Sequence, residues 1–146
     1  MRNITRLRTA AIRAALTVLT VASPACSAST LTSSFDVRHV QLDQTIALPL
    51  GATTVVDGTP LRVTFLSVRS DSRCPMGVLC IWAGDADIVL RVDTGAGSTE
   101  VDVHSTVDPR SVILTGYRIE LVDIQPPRPQ NDGPLAYIAM LRITRP

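Results

Sequence analysis

The chain has 146 residues, 45% of them hydrophobic and 18% charged, with eight glycines and ten prolines, which fits one globular domain and excludes a disordered, tail-like protein. Its basic residues are all arginine, and 14 of them against 13 acids leave a net charge of +1, too balanced for nucleic-acid binding. Four arginines, Arg2, Arg6, Arg8 and Arg13, fall in the first 13 residues with no acid among them; without that segment, 10 arginines face 13 acids and the remainder is mildly acidic at −3.

The basic opening is followed by an apolar stretch from Ala14 to Ala22 and by small residues through Ala28, the layout of a secretory signal peptide. The apolar stretch is too short to span a bilayer, which takes about 20 apolar residues. Residues 1–25 therefore read as a signal peptide, 26–34 as a short polar tether and 35–146 as a single domain. Ala25-Cys26 after an apolar run resembles the lipobox of bacterial lipoproteins, in which the cysteine becomes lipid-modified. Ser23 and Pro24 depart from that box, so cleavage after Ala25 or Ala28 is the alternative. Export places the protein in the periplasm, on the outer membrane or outside the cell. A lipid anchor on Cys26 would leave Cys74 and Cys80 to pair with each other.

From Phe35 onward, apolar residues recur with period two and turn residues interrupt them every 8 to 12 positions, the pattern of antiparallel strands. Phe35, Val37, Val40 and Leu42 predict a first strand, and Ile46, Leu48 and Leu50 a second that ends at Gly51. Asp57-Gly58 marks a tight turn. Leu61, Val63 and Phe65 alternate cleanly, and a phase switch at Leu66 and Val68 predicts a bulge. Two strands, one over Ala86, Ile88, Leu90 and Val92 and the other over Thr99, Val101 and Val103, read as a hairpin closed at Thr94-Gly95-Ala96-Gly97. Val112 to Leu114, Tyr117 to Val122 and Leu135 to Ile143 complete the set. The segment 125–134 contains four prolines and predicts an exposed loop or edge, a solvated connector rather than a polyproline ligand. Seven to eight short strands in this span predict an all-β antiparallel sandwich, immunoglobulin-like or similar, with a small barrel as the alternative.

The distinctive stretch runs from Ser70 to Asp87. Cys74 and Cys80, six positions apart, can close a small disulfide loop in an oxidising compartment, with Pro75 and Gly77 supplying the bend. Trp82, the only tryptophan, follows at once, and its indole is expected to pack on the disulfide or cap the core, with ligand contact as the alternative. Asp71-Ser72-Arg73-Cys74-Pro75, a short spacer, then Cys80-Ile81-Trp82-Ala83-Gly84 resembles a motif of small, exported, largely uncharacterised bacterial proteins, many of them lipoproteins. The resemblance extends loosely to the whole mature domain, including a final strand containing Tyr137. It implies a β-rich envelope domain and no particular activity.

Chemistry is sparse elsewhere. Asp71, Asp85 and Asp87 bracket the loop and are candidate calcium ligands, although the spacing is not an EF-hand loop and solvated carboxylates are the simpler reading. Zinc on His39, Cys74, Cys80 and His104, and copper on Met76 and Met140 with the histidines, are weaker still; no cofactor is expected. His104-Ser105 with Asp108 is a thin basis for a hydrolase, since no nucleophile elbow is present. Binding is the class left standing: Arg73, Met76, Val78, Leu79 and Trp82 on a pinned loop would meet an envelope protein or peptide, or enter a protease as an inhibitory loop through Arg73 or Met76. The plainer structural reading is that Val78, Leu79 and Ile81 simply cover one end of the sandwich. The expected function is thus an exported, non-enzymatic binding or structural module, the alternative being a small hydrolase or metal-dependent enzyme.

Overall fold

The computed structural model describes residues 37–131 and 133–146. The expected signal peptide and tether, with Cys26, and Phe35 lie outside the described residues. Nine strands and no helix occupy the described part: β1 Val37–Val40, β2 Thr45–Pro49, β3 Thr53–Val56, β4 Arg62–Asp71, β5 Ala86–Asp93, β6 Ser98–His104, β7 Ser111–Leu114, β8 Tyr117–Gln125 and β9 Ile138–Thr144. They form a five-stranded sheet in the order β1-β3-β4-β5-β6 and a four-stranded sheet in the order β2-β9-β8-β7. Both sheets have free edges, so the architecture is an open sandwich and not a barrel.

Period-two alternation decides what is buried. Val63, Phe65, Ile88, Leu90, Val92 and Val103 point inward from the first sheet, and Leu48, Ile119, Leu121, Ile124, Leu141 and Ile143 meet them from the second. Burying each such side chain contributes roughly 1.5–3 kcal/mol, so aliphatic residues packed around Phe65 carry the fold despite its low aromatic content. The opposite face of the β5–β6 hairpin is charged and only partly exposed: Arg91 pairs with Glu100 and Arg69 with Asp102, while Val89 is buried and Asp87 largely shielded. Thr94 N–H donates to Gly97 O at the expected turn, and β4 carries the expected phase slip between Phe65 and Ser67.

The strands number nine rather than seven to eight, the last begins at Ile138 rather than Leu135, and three further features differ from the sequence reading. β1 pairs with β3 in parallel, because the chain crosses to the other sheet as β2 and returns before it meets β1 again. β8 continues past Val122 to Gln125, because a register shift between Leu121 and Asp123 turns Ile124 back into the core. A second slip between Val68 and Ser70 bends the end of β4. At that end, the β4–β5 connection and the Pro-rich β8–β9 loop meet through hydrogen bonds.

Candidate functional site

The β4–β5 ladder does not stop at its last strand pair, Asp71 with Ala86. Ser72 N–H donates to Asp85 O at 2.7 Å, Ser72 Oγ accepts from Asp85 N–H at 3.1 Å, and Cys74 N–H donates to Ala83 O at 2.9 Å. The two arms approach so closely at Gly84 that a Cβ there would lie 1.9 Å from Ser72 O, and its φ of 69° is left-handed as well. Glycine is therefore required. Beyond the ladder, the Cys74–Cys80 disulfide closes the loop with a Cα–Cα distance of 6.0 Å, and Val78 N–H turns back onto Pro75 O.

Arg73 fixes this hairpin to the sandwich. Its Nε donates to Asp71 Oδ1 at 2.9 Å and its Nη2 to Asp71 Oδ2 at 2.8 Å, a forked pair whose side chains are only 13% and 7% exposed. The remaining guanidinium donors reach Ile124 O and Pro126 O, at the exit of β8. Tyr137 Oη donates to Asp71 Oδ2 at 3.1 Å, so one carboxylate gathers the loop and the entry to β9. Burial alone would raise the Asp71 pKa, but the hydrogen bonds and charge of Arg73 outweigh it and hold the carboxyl below its ordinary value. Pairing with Asp71 likewise raises Arg73 above its ordinary value, against the opposing effect of burial. Burial and the neighbouring carboxylate push the Tyr137 phenol upward.

The Pro-rich loop completes the frame. Arg128 O accepts from Met76 N–H at 2.9 Å, Gln130 Nε2 donates to Met76 O at 3.0 Å, and Arg128 Nη1 donates to Arg73 O at 3.3 Å. The segment expected to be a solvated connector is thus a buttress, bonded to the disulfide loop through the Arg128 carbonyl and the Arg128 and Gln130 side chains. Arg73, expected on the recognition surface, is instead spent on the frame.

The loop tip itself faces outward. Leu79 is 100% exposed, Ile81 94% and Trp82 82%, with Met76 and Val78 about half exposed beside them. This corrects two expectations: the indole neither packs on the disulfide nor caps the core, and Val78, Leu79 and Ile81 do not cover the end of the sandwich. The frame holds the loop away from the core, so apolar character does not here translate into burial. Val107, also exposed, and Trp82 both line a shallow cleft of about 400 Å³ that includes Gly84, Asp85 and Thr106.

Asp85 anchors the wall of that cleft. Its Oδ1 accepts from Ser105 N–H, Ser105 Oγ, Thr106 N–H and Thr106 Oγ1, and its Oδ2 accepts from His104 Nδ1 at 2.7 Å. Burial opposes ionisation, but these donors prevail and hold the Asp85 pKa at about 2. Histidine and serine do meet a carboxylate here, but it is Asp85 and not Asp108, and Ser105 Oγ is already committed to Asp85 and to Ala86 N–H. The constellation orders the 104–106 turn and provides no primed nucleophile. Asp71, Asp85 and Asp87 do not converge: the first pairs with Arg73, the second with the turn, and the third lies beside Arg69 at 4.0 Å on the outer face of β5. Among the described residues, no three metal-binding side chains gather. The proposed zinc set is also broken up, since Cys74 and Cys80 are bonded to each other and His39 pairs with Asp57.

Fold and site together define an open β-sandwich that displays a disulfide-closed apolar tip on a buried Asp-Arg frame. Comparison with known proteins finds no matching family model, curated protein or solved structure.

Proposed function

We propose that this protein is an exported, non-enzymatic binding module of the cell envelope or extracellular space, and that it engages its target through Met76, Val78, Leu79, Ile81 and Trp82. One observation carries the reading: among the described residues, the most exposed large apolar side chains, Leu79, Ile81, Trp82 and Met76, lie on one loop whose base is held by hydrogen bonds and an ion pair. Holding such a loop in place before contact removes most of the ordering cost of association. A contiguous apolar tip on a soluble domain marks an interaction surface.

Export is supported by the basic, apolar and small-residue layout of residues 1–28 and is compatible with the disulfide. Attachment through a lipidated Cys26, and membership of the exported bacterial group that shares the Asp-Ser-Arg-Cys-Pro motif, belong to the same proposal. Mass spectrometry of the mature N-terminus checks the anchor. Protease inhibition is a second form of the reading, and the exposed Met76 is the residue it would present, since Arg73 is held in the frame.

The test immobilises the oxidised protein, exposes it to envelope extract, and measures both retained protein and retained lipid. Retention that is lost with Trp82→Ala and with Leu79→Asp supports the module. Retention that is indifferent to both, or none at all, overturns it.

A further inference from the structure

The chemistry of the tip narrows what it meets. From Cys74 to Gly84, eleven consecutive residues carry no ionisable side chain other than the disulfide-bonded cysteines, and the indole N–H of Trp82 is their only side-chain hydrogen-bond donor. The carboxylates directly behind the tip are already engaged, Asp71 by Arg73 and Asp85 by His104 and the 104–106 turn. A specific protein socket is normally selected by a rim of polar and charged contacts around an apolar centre. Within residues 74–84 this projection offers the apolar centre alone, and the polar side chains against it, Arg128 and Gln130, belong to the β8–β9 loop and are already bonded to Arg73 O and Met76 O.

Leu79 and Ile81 project almost fully into solvent on either side of Cys80, with Trp82 next in the chain and Val107 lining the same cleft. Aliphatic side chains at the apex and an indole beside them match the requirements of the bilayer interface. There, hydrocarbon accepts aliphatic groups in any orientation and tryptophan rests at headgroup level with its N–H still wet. The main chain sets the depth. Cys74, Met76 and Val78 donate their N–H groups within the frame and loop, but the irregular apex cannot satisfy the rest in hydrocarbon, so insertion ends in the headgroup and upper acyl layer.

We infer that the 76–82 tip inserts into the interfacial layer of a lipid bilayer, driven by its apolar side chains and indifferent to headgroup charge. The inference rests on the binding-module reading above and names the occupant of that same tip.

The sole tryptophan makes the test specific to the loop. Full-length oxidised protein is titrated with protein-free phosphatidylcholine vesicles, with and without phosphatidylglycerol, some carrying brominated acyl chains. The leader or an anchor on Cys26 can also hold the chain to vesicles, but only tip insertion brings Trp82 to the bromines. The expected result is a shift of Trp82 emission to shorter wavelength and bromine quenching, alike in both lipids and at high salt. In Leu79→Asp/Ile81→Asp, which alters only exposed positions and keeps the tryptophan, this response should need at least about tenfold more lipid. An unchanged thermal midpoint of that variant establishes that its fold is intact.

Emission unaffected by vesicles, equal quenching in the variant, or a response confined to anionic lipid overturns the inference. Tip-dependent retention of an envelope protein without any vesicle response would replace lipid by a protein partner and leave the module standing. Loss of both responses removes the module reading as well.

Discussion

Replacing Arg73 by alanine removes the guanidinium while leaving the Asp71 carboxylate, 7% exposed, without its forked partner. It also strips Ile124 O and Pro126 O of their donors. Breaking a buried ion pair from one side costs about 3–5 kcal/mol, because the surviving charge stays desolvated. Each orphaned carbonyl adds about 1 kcal/mol where water does not reach it. The total is a large part of the 5–15 kcal/mol that typically holds a domain together. Urea denaturation followed by far-ultraviolet circular dichroism, with the disulfide intact, measures the loss. Because one interaction joins the two side chains, Arg73→Met/Asp71→Leu should destabilise by less than the sum of the single changes. An Arg73→Ala cost below about 1 kcal/mol, or strict additivity in the cycle, would refute the frame.

Three further outcomes follow from the same geometry. Asp85 has its pKa held at about 2, below the unfolded value near 3.9, so its stabilisation, on the order of 2 kcal/mol, is full above about pH 5 and fades as pH falls through about 4 toward 2; Asp85→Asn should be less stable at neutral pH and show a shallower acid transition in pH-dependent denaturation. Asp71 is shifted in the same direction and should add to the acid sensitivity of the parent protein. Gly84→Ala sets a methyl against the Ser72 carbonyl and should cost at least about 2 kcal/mol by thermal melting, with the loss concentrated at the loop base in hydrogen exchange. Cys74→Ser/Cys80→Ser opens a small ring and should cost about 2 kcal/mol, raising exchange at the loop while the β5–β6 ladder stays protected.

Alternation made the core legible. Val63, Phe65, Ile88, Leu90, Val92, Ile119 and Leu121 are identifiable because a strand with one buried face repeats every two residues. The same rule broke down at Val122, where one extra residue inverts the phase and Ile124 loses its place in the pattern. In the loop there is no period to read. Leu79, Ile81 and Trp82 look like core residues by type, and only the frame around them determines that they face water. That frame joins residues far apart in the chain, such as Asp71 with Tyr137 and Met76 with Arg128 and Gln130. No local spacing signals such pairs. The disulfide was legible for the opposite reason, since a six-residue step with proline and glycine inside it constrains its own geometry.

The division between the Asp71-Arg73 support and the side chains it displays has an evolutionary consequence. The support depends on main-chain bonds, a few fixed side chains and a glycine, whereas Leu79 and Ile81 contribute almost nothing to folding. Substitutions at the apex can therefore accumulate at little risk to the scaffold, much as hypervariable loops diversify on an invariant framework. The same property makes positions 78, 79, 81 and 82 natural sites for grafting a foreign recognition sequence.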